Sequence, residues 1–437
     1  MGFFYAIDCM DIKSVYQKYL QCNGVSTDTR NINKDDLFIA LKGETFDGNR
    51  FVKSALESGA KYAIIDDVNY EIPGKTIFCE NSLVCLQALA RFHRQKMNAI
   101  ILGITGSNGK TTSKELTFSV MKSQYKCIAT EGNLNNHIGV PLSLLRIQED
   151  TEFAIIEMGA NHPGEIKILS NIAEPDFGVI TNVGQAHIEG FGSFEGVKKT
   201  KTELYDYLKT NNGITFINIG NKHLLKMLGT QEIISYALEQ PAYCFAEMFK
   251  SNHKIGLAWK TESQSGKFTS NLQGAYNAEN LLLATCVGNY FEIPGEKINS
   301  AIEAYKPTNQ RSEIKKTDRN TLFLDLYNAN PSSVELSIKD FHNPDNNQIV
   351  ILGDMKELGS ITNEAHLNVL HLLKELGFHS VLLAGESYYQ FNSKFNFEFF
   401  RDTDALINFL KNKKIKNQWI FIKGSRSMKL EKVIPFL

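Results

Sequence analysis

Short uninterrupted apolar runs recur along this chain, separated by longer segments in which apolar residues return every three or four positions. The runs at 100–104, 153–156, 177–180 and 214–219 have strand length, and the stretches between them have helical spacing. This alternation predicts βαβ units around a mainly parallel sheet, because parallel neighbours need a long crossover. The rhythm resumes with runs at 321–326, 348–352, 380–384 and 419–422. Nearer the start, 37–41 and 62–65 read as strands and 51–59 as a helix. The expected fold class is α/β in every part.

Two breaks divide the chain. A helical pattern over 83–97 closes the first segment and the apolar run 99–104 opens the next, so one boundary falls near residue 98. Lys306-Pro307-Thr308-Asn309-Gln310 is polar and holds a proline, which places the second near residue 308. The expected domains are 1–98, 99–308 and 309–437, in keeping with about 150 residues per domain for a chain of 437. The amphipathic segment 197–208 puts Val197, Lys201, Leu204 and Leu208 on one stripe, so Lys201 faces inward, either to snorkel or to do chemistry.

Composition narrows the class. With 43% hydrophobic and 22% charged residues the chain is a soluble globular protein, neither collagenous nor disordered. Forty-seven basic residues against 48 acidic ones leave no footprint for nucleic acid or an anionic membrane, so small-molecule partners are expected. No uncharged apolar run approaches the roughly 18 residues of a membrane span. The opening MGFFYAIDCM lacks a basic start and carries Asp8, with Asp11 following, so it is not a signal peptide. Seven cysteines without a CxxC pair predict reduced thiols in a cytoplasmic chain. The lysine-rich 411–416 reads as a solvated face.

The sharpest chemical signal is Gly103-Ile104-Thr105-Gly106-Ser107-Asn108-Gly109-Lys110-Thr111-Thr112, between a buried strand and a helix-forming run. Its glycines let backbone N–H groups turn toward phosphate oxygens, its lysine reaches the β- and γ-phosphates, and its threonine hydroxyl suits Mg²⁺. Glycine is missing at Ile104, so this is a shorter GxxGKT variant that departs from ordinary GTPases and motors. The lysine and threonine, and the lack of GxGxxG, argue against an oxidoreductase. Ligands of open parallel sheets gather at the carboxyl ends of strands. There Glu157 ends one run and Thr181-Asn182-Val183-Gly184 leads from another to His187. From position alone Glu157 is equally a surface acid or a metal ligand, whereas His187 alone reads better as a capping or core histidine than as a ligand. Asn328-Ala329-Asn330-Pro331 and Phe46-Asp47-Gly48 are, by local chemistry, turns.

Several motifs together carry a resemblance. They are TGSNGKTT at 105–112, NLNNHIGVPLSLL at 133–145, EMGANHPGEI at 157–166, TNVGQAHIEGFGS at 181–193, DLYNANPSS at 325–333, LGDMKELG at 352–359 and KGSRSMKLE at 423–431. With STDTR at 26–30 and ALKGETFDGNRFVKSALESGA at 40–60, they resemble the ATP-dependent Mur ligase family of peptidoglycan synthesis across all three segments. The resemblance implies an α/β N-terminal domain for a UDP-linked substrate and a central P-loop ATPase domain. It also implies a Rossmann-like C-terminal domain that binds the acceptor and closes on ATP. It implies a cytoplasmic, monomeric enzyme without stable membrane insertion, joining D-alanyl-D-alanine to UDP-MurNAc-tripeptide through an acyl phosphate.

The same resemblance assigns residues. Thr105, Gly106, Ser107, Asn108, Gly109, Lys110, Thr111 and Thr112 would hold ATP, with Thr111 and Glu157 on a first Mg²⁺. His187 and Lys201 would hold a second Mg²⁺, Lys201 as a carbamate, although the family's usual AKGE reads Thr200-Lys201-Thr202-Glu203 here. Asn277 and Asn280 would sit at adenine, and Arg311 and Asp325 would reach phosphate and ribose. Substrate contacts would come from Ser26, Thr27, Asp28, Arg30, Lys42, Gly43, Phe46, Asp47, Asn135, Asn136, Asn328 and Asn330. Tyr276 stands where the family commonly has histidine and receives no role. The alternatives are a ligase for a single third amino acid, a folylpolyglutamate synthetase, or an ATP-gated switch that ligates nothing. EMGANHPGEI and DLYNANP weigh against the first two.

Overall fold

The computed structural model describes residues 11–251, 254–307, 311–343 and 347–437, and the side chain of residue 251 is not among the described groups. The opening decapeptide and the boundary residue 308 lie outside them. Three sheets organise the chain, and each apolar run becomes a buried strand. Val25–Ser26, Leu37–Ile39, Tyr62–Ile65 and Thr76–Phe78 form a four-stranded parallel sheet. The helix Ser82–Lys96 follows it, capped by Asn81. Cys85, Leu86, Leu89 and Ala90 on this helix share one core with Ile101, Val140 and Leu144 of the next unit.

The central sheet has nine strands, and its order explains the placement of the site. Ile100–Thr105 lies between Phe153–Glu157 and Phe177–Ile180, all parallel, with Cys127–Ala129 beyond one side and Ile214–Asn218 beyond the other. The loops after the three middle strands therefore emerge side by side, at the edge where ligands of such sheets collect. Ile233–Leu238 and Cys244–Ser251 continue the sheet in parallel, and Lys254–Lys260 and Ser265–Thr269 extend it through antiparallel pairs. Cys244–Ser251 and Ser265–Thr269 interleave charged and polar residues with apolar ones, whereas Lys254–Lys260 holds an apolar run at 255–259 that lies outside the expected strands.

The third sheet runs Glu313–Lys316, Thr321–Asp325, Trp419–Lys423, Gln348–Gly353, Val381–Ala384, Glu398–Phe400, parallel except at the first pair. Six cysteines among the described residues are free thiols. No described helix is long and apolar enough to cross a membrane.

A buried histidine holds one loop of the third unit. His366 Nδ1 lies 2.7 Å from the Thr362 carbonyl, and its Nε2 accepts the Met355 N–H at 3.1 Å, so the ring is held neutral. Burial, partly opposed by Asp354, lowers its pKa from the ordinary 6.5. Between pH 6.5 and that lower folded value the unfolded chain binds more protons, so stability is complete above the window and falls as pH drops through it. Urea unfolding across pH 7.5 to 5 should show this decline. His366→Leu should flatten it while costing about 1–3 kcal/mol for the unpaired Met355 N–H.

Candidate functional site

The glycine loop is built by the turn it must make. Gly106 (φ +145°) would drive a Cβ into the Thr181 side chain, and Gly109 (φ +78°) caps the helix Lys110–Met121. Thr181 Oγ1 donates to the Asn108 carbonyl at 2.6 Å, and Asn108 N–H donates to Asn182 Oδ1 at 2.9 Å. Gly184 N–H donates to Ser107 Oγ at 2.9 Å, so the segment after Phe177–Ile180 buttresses the loop. Lys110 folds back onto the Gly106 carbonyl at 2.7 Å. Burial lowers its pKa, Glu157 opposes this, and Arg311 adds to it. Thr105 and Thr112 are buried beneath. A Cβ at Gly109 would meet Asn280 Oδ1 at 2.6 Å. Gly109→Ala is therefore expected to shift the loop at a cost of about 1–2 kcal/mol. Calorimetry should then read nucleotide binding about tenfold weaker.

Glu157 is buried at the end of its strand, and only one of its oxygens is occupied. Thr111 Oγ1 donates to Oε1 at 3.2 Å and Asn135 Nδ2 at 2.9 Å, whereas Oε2 has no hydrogen-bond partner. A buried carboxylate oxygen without a hydrogen bond, beside a threonine hydroxyl, fits a hard divalent cation, which takes oxygen ligands. No three His, Cys, Asp or Glu side chains converge among the described residues, so phosphate oxygens and water would complete such a shell. Lys114, fully buried one turn after Lys110, lies 3.9 Å from the same Oε2 and donates to the Thr130 carbonyl at 2.5 Å. Its i, i+4 spacing from Lys110 was the available signal for it. Asn136 does different work, accepting the N–H groups of Ile138 and Gly139 to start the helix Gly139–Leu144.

Lys201 lies inward on the helix Phe194–Thr210, 2% exposed, with its ammonium 5.5 Å from the Phe191 ring centroid. Burial first, then Lys110, push its pKa well below the ordinary lysine value, against Glu165 and Glu203. Glu203 is itself engaged, accepting the N–H groups of Gly164 and Lys167 at 2.9 and 2.8 Å. His187 adopts left-handed backbone (φ +53°) and places Nδ1 2.5 Å from Glu357 Oε2 in the third unit. That contact has ion-pair distance without hydrogen-bond alignment. His187 beside it draws the Glu357 carboxyl below its usual range.

The third unit also reaches the loop. Asn330 caps the helix Pro331–Phe341 in a capping box and donates from Nδ2 to Asn108 Oδ1 at 2.7 Å. Asn328 accepts the Ala329 N–H locally. Arg311 stacks 3.5 Å from the Tyr327 ring centroid and leaves its buried Nε unpaired. Asp325 is paired with Lys423 on the adjacent strand, a buried partner that the motif contained without any sign of its function. Asn280 Nδ2 donates to Asn277 Oδ1 at 2.9 Å, and Ser113 donates to Asn280 Oδ1 at 2.9 Å. Nearby, a cavity of about 310 Å³ is lined by Tyr276, Ser312, Asp325 and Phe341, among others.

The N-terminal residues engage one another rather than the loop. Arg30 pairs with Asp28 at 2.6 Å and draws its carboxyl down to about 2. Ser26 Oγ donates to the Asp28 carbonyl at 2.9 Å, while Thr27 is half-buried between them. Lys42 pairs with Asp66 at 3.0 Å, and Asp47 caps the turn Gly48–Phe51. Gly43 N–H donates to the Phe46 carbonyl at 2.8 Å. Phe46 stacks on Phe51 with centroids 5.5 Å apart, both largely exposed, so this unit offers an aromatic face beside a cation.

A glycine loop at the switch point of a parallel sheet, with a second α/β unit over its phosphate end, defines a P-loop nucleotide-dependent enzyme with an interdomain site. Family comparison narrows the class. The Mur ligase family catalytic domain matches residues 21–100, the Mur ligase middle domain 104–288, and the Mur ligase glutamate ligase domain 310–426. The chain belongs to the Mur ligase family. It is 33% identical to the UDP-N-acetylmuramoyl-tripeptide--D-alanyl-D-alanine ligase of Bacillus subtilis, over 95% of this chain and 93% of that protein. The Escherichia coli enzyme of the same name is 30% identical over 95% and 93%. MurF of Thermotoga maritima in complex with ADP shares the fold at TM-score 0.84, with 24% identity and 98% of each chain covered.

Proposed function

We propose that this chain joins D-alanyl-D-alanine to UDP-MurNAc-tripeptide at the expense of ATP, giving UDP-MurNAc-pentapeptide, ADP and phosphate in cytoplasmic peptidoglycan precursor synthesis. One observation carries the reading. Lys110, Arg311 and Lys201 bring three basic side chains to one junction, and among the described residues none of the three forms a salt bridge with a carboxylate. Such a junction is built for a polyanion, and its walls come from two domains.

The proposed division is residues 1–98 for the UDP-linked substrate, 99–308 for ATP and 309–437 for the dipeptide. Asp325 lines the cavity and Asn277 donates to its Ser312 at 3.2 Å, and together with Asn280 these residues would hold adenine and ribose. Ser26, Asp28, Arg30, Lys42, Phe46 and Asp47 would hold the uridine nucleotide, with Asn135, Asn328 and Asn330 nearer the reacting groups. Mg²⁺ would be held by Thr111 and Glu157, and a second ion by His187 and carbamylated Lys201. Bound there, the ions would offset negative charge as two anions approach.

The tripeptide carboxylate attacks the γ-phosphorus of ATP, the bond to the β-phosphate oxygen breaks, and ADP leaves. The acyl phosphate now has a good leaving group, which free carboxylate lacks. The dipeptide amine attacks its carbonyl carbon, loses a proton, and the tetrahedral species collapses to amide and phosphate. Lys110 and Arg311 stabilise the phosphoryl oxygens, and the covering third domain excludes water that would hydrolyse the acyl phosphate. The protein works as a monomer without nucleic acid.

Phosphate release from ATP and Mg²⁺ should require UDP-MurNAc-tripeptide and D-alanyl-D-alanine together, with a product of pentapeptide mass. Turnover indifferent to the dipeptide, without that product, would overturn the reading in favour of an ATP-gated switch.

A further inference from the structure

Glu357 arrives at His187 from a different domain, and neither residue sits in relaxed backbone. Both are non-glycine residues with positive φ, +64° and +53°, a conformation that persists only where the surroundings impose it. Glu357 is anchored to the third unit through its neighbours. Lys356 N–H donates to Ser425 Oγ at 2.9 Å, and buried Asp354 accepts the N–H groups of Ser387 and Tyr388. Its backbone docks across the interface, where Glu189 N–H donates to the Glu357 carbonyl at 3.3 Å. His187 and Lys201 each lie against the Phe191 ring, 6.4 and 5.5 Å from its centroid, so the carboxylate at His187 arrives on the segment that also flanks Lys201.

We infer that Glu357 is a third protein ligand of the second divalent cation, so that this ion bridges the central and C-terminal domains. The inference rests on the proposed assignment of His187 and carbamylated Lys201 to that ion. An imidazole alone is a poor site for Mg²⁺, which prefers oxygen. A carbamate on Lys201 and the Glu357 carboxylate would repel one another without a cation between them, and would coordinate one together with His187. Occupancy of the second site and docking of the C-terminal domain then favour each other, since only the docked domain supplies the third ligand.

The test is Mn²⁺ binding to the full chain with a non-hydrolysable ATP analogue and bicarbonate, followed by the paramagnetic signal of free Mn²⁺. Wild type should bind two ions per chain. Glu357→Gln, which keeps size and the backbone contact, should retain the first ion and weaken the second at least tenfold, with an unchanged unfolding temperature. Glu357→Asp should fall between them, and the exposed Glu335→Gln should match wild type. Two ions bound to Glu357→Gln at wild-type affinity would overturn the inference. A wild type that binds one ion would overturn it together with the two-ion assignment, while dipeptide-dependent phosphate release would still stand or fall separately.

Discussion

Lys201→Ala is expected to lower ligase turnover by about 10³-fold, the scale seen when a preorganised charge is removed from a reacting centre. Nucleotide binding should stay within about threefold of wild type, because Lys110, the proposed phosphate contact, remains. A buried lysine without an acceptor is costly as an ammonium. Burial first, then Lys110, lower its pKa well below the ordinary lysine value, which favours the free amine. The free amine is a nucleophile for CO₂: its lone pair bonds to carbon, one N–H proton leaves to solvent, and an anionic carbamate remains. Native mass spectrometry in bicarbonate should find one added CO₂ on wild type and none on the variant. Removing an unpaired buried amine should leave stability unchanged or raised, which separates a chemical loss from misfolding. Added acetate should restore part of the activity by placing an oxygen anion in the vacated space. Wild-type turnover in Lys201→Ala would remove the residue from the chemistry.

Much of this site is legible locally because the chemistry sits at the ends of apolar runs. Thr105 to Thr112 and Glu157 follow directly from strands that the hydrophobic pattern marks, and parallel pairing sets them side by side. Lys201 is legible from the stripe on its helix, and the structure buries it as that stripe requires. Glu357 was visible only as part of a motif, since its contact with His187 joins residues 170 positions apart through domain docking that no local period encodes. Lys114 escaped notice because a lysine on a helix after the loop looks solvated until Thr130 and Glu157 close over it. Cys244–Ser251 and Ser265–Thr269 are illegible for another reason, since polar residues alternate with apolar ones there and no continuous apolar run forms, whereas the run 255–259 inside Lys254–Lys260 offers a readable signal.

Lys110→Met keeps the length of the side chain and removes its charge, and is expected to cut ligase turnover by about 10³-fold or more. Two unit charges about 4 Å apart at an effective dielectric near 20 interact by about 4 kcal/mol, which corresponds to about three powers of ten in rate. Arg311 does not replace it, since that guanidinium is held against Tyr327 in the other domain. The fold should tolerate the change, because Lys110 bonds only the Gly106 and Ser107 carbonyls of its own loop. A second readout distinguishes loss of charge from loss of shape. Burial lowers the Lys110 pKa, with Glu157 opposing this and Arg311 adding to it, whereas a bound triphosphate must raise it. Above the lowered value the free protein is short of a proton that the complex holds, so ATP-analogue binding should take up protons as pH rises into that window. Calorimetry in buffers of differing ionisation enthalpy should find this uptake in wild type and lose it in Lys110→Met. Uptake that persists in the variant would assign the proton to Lys201, the other buried amine of the junction.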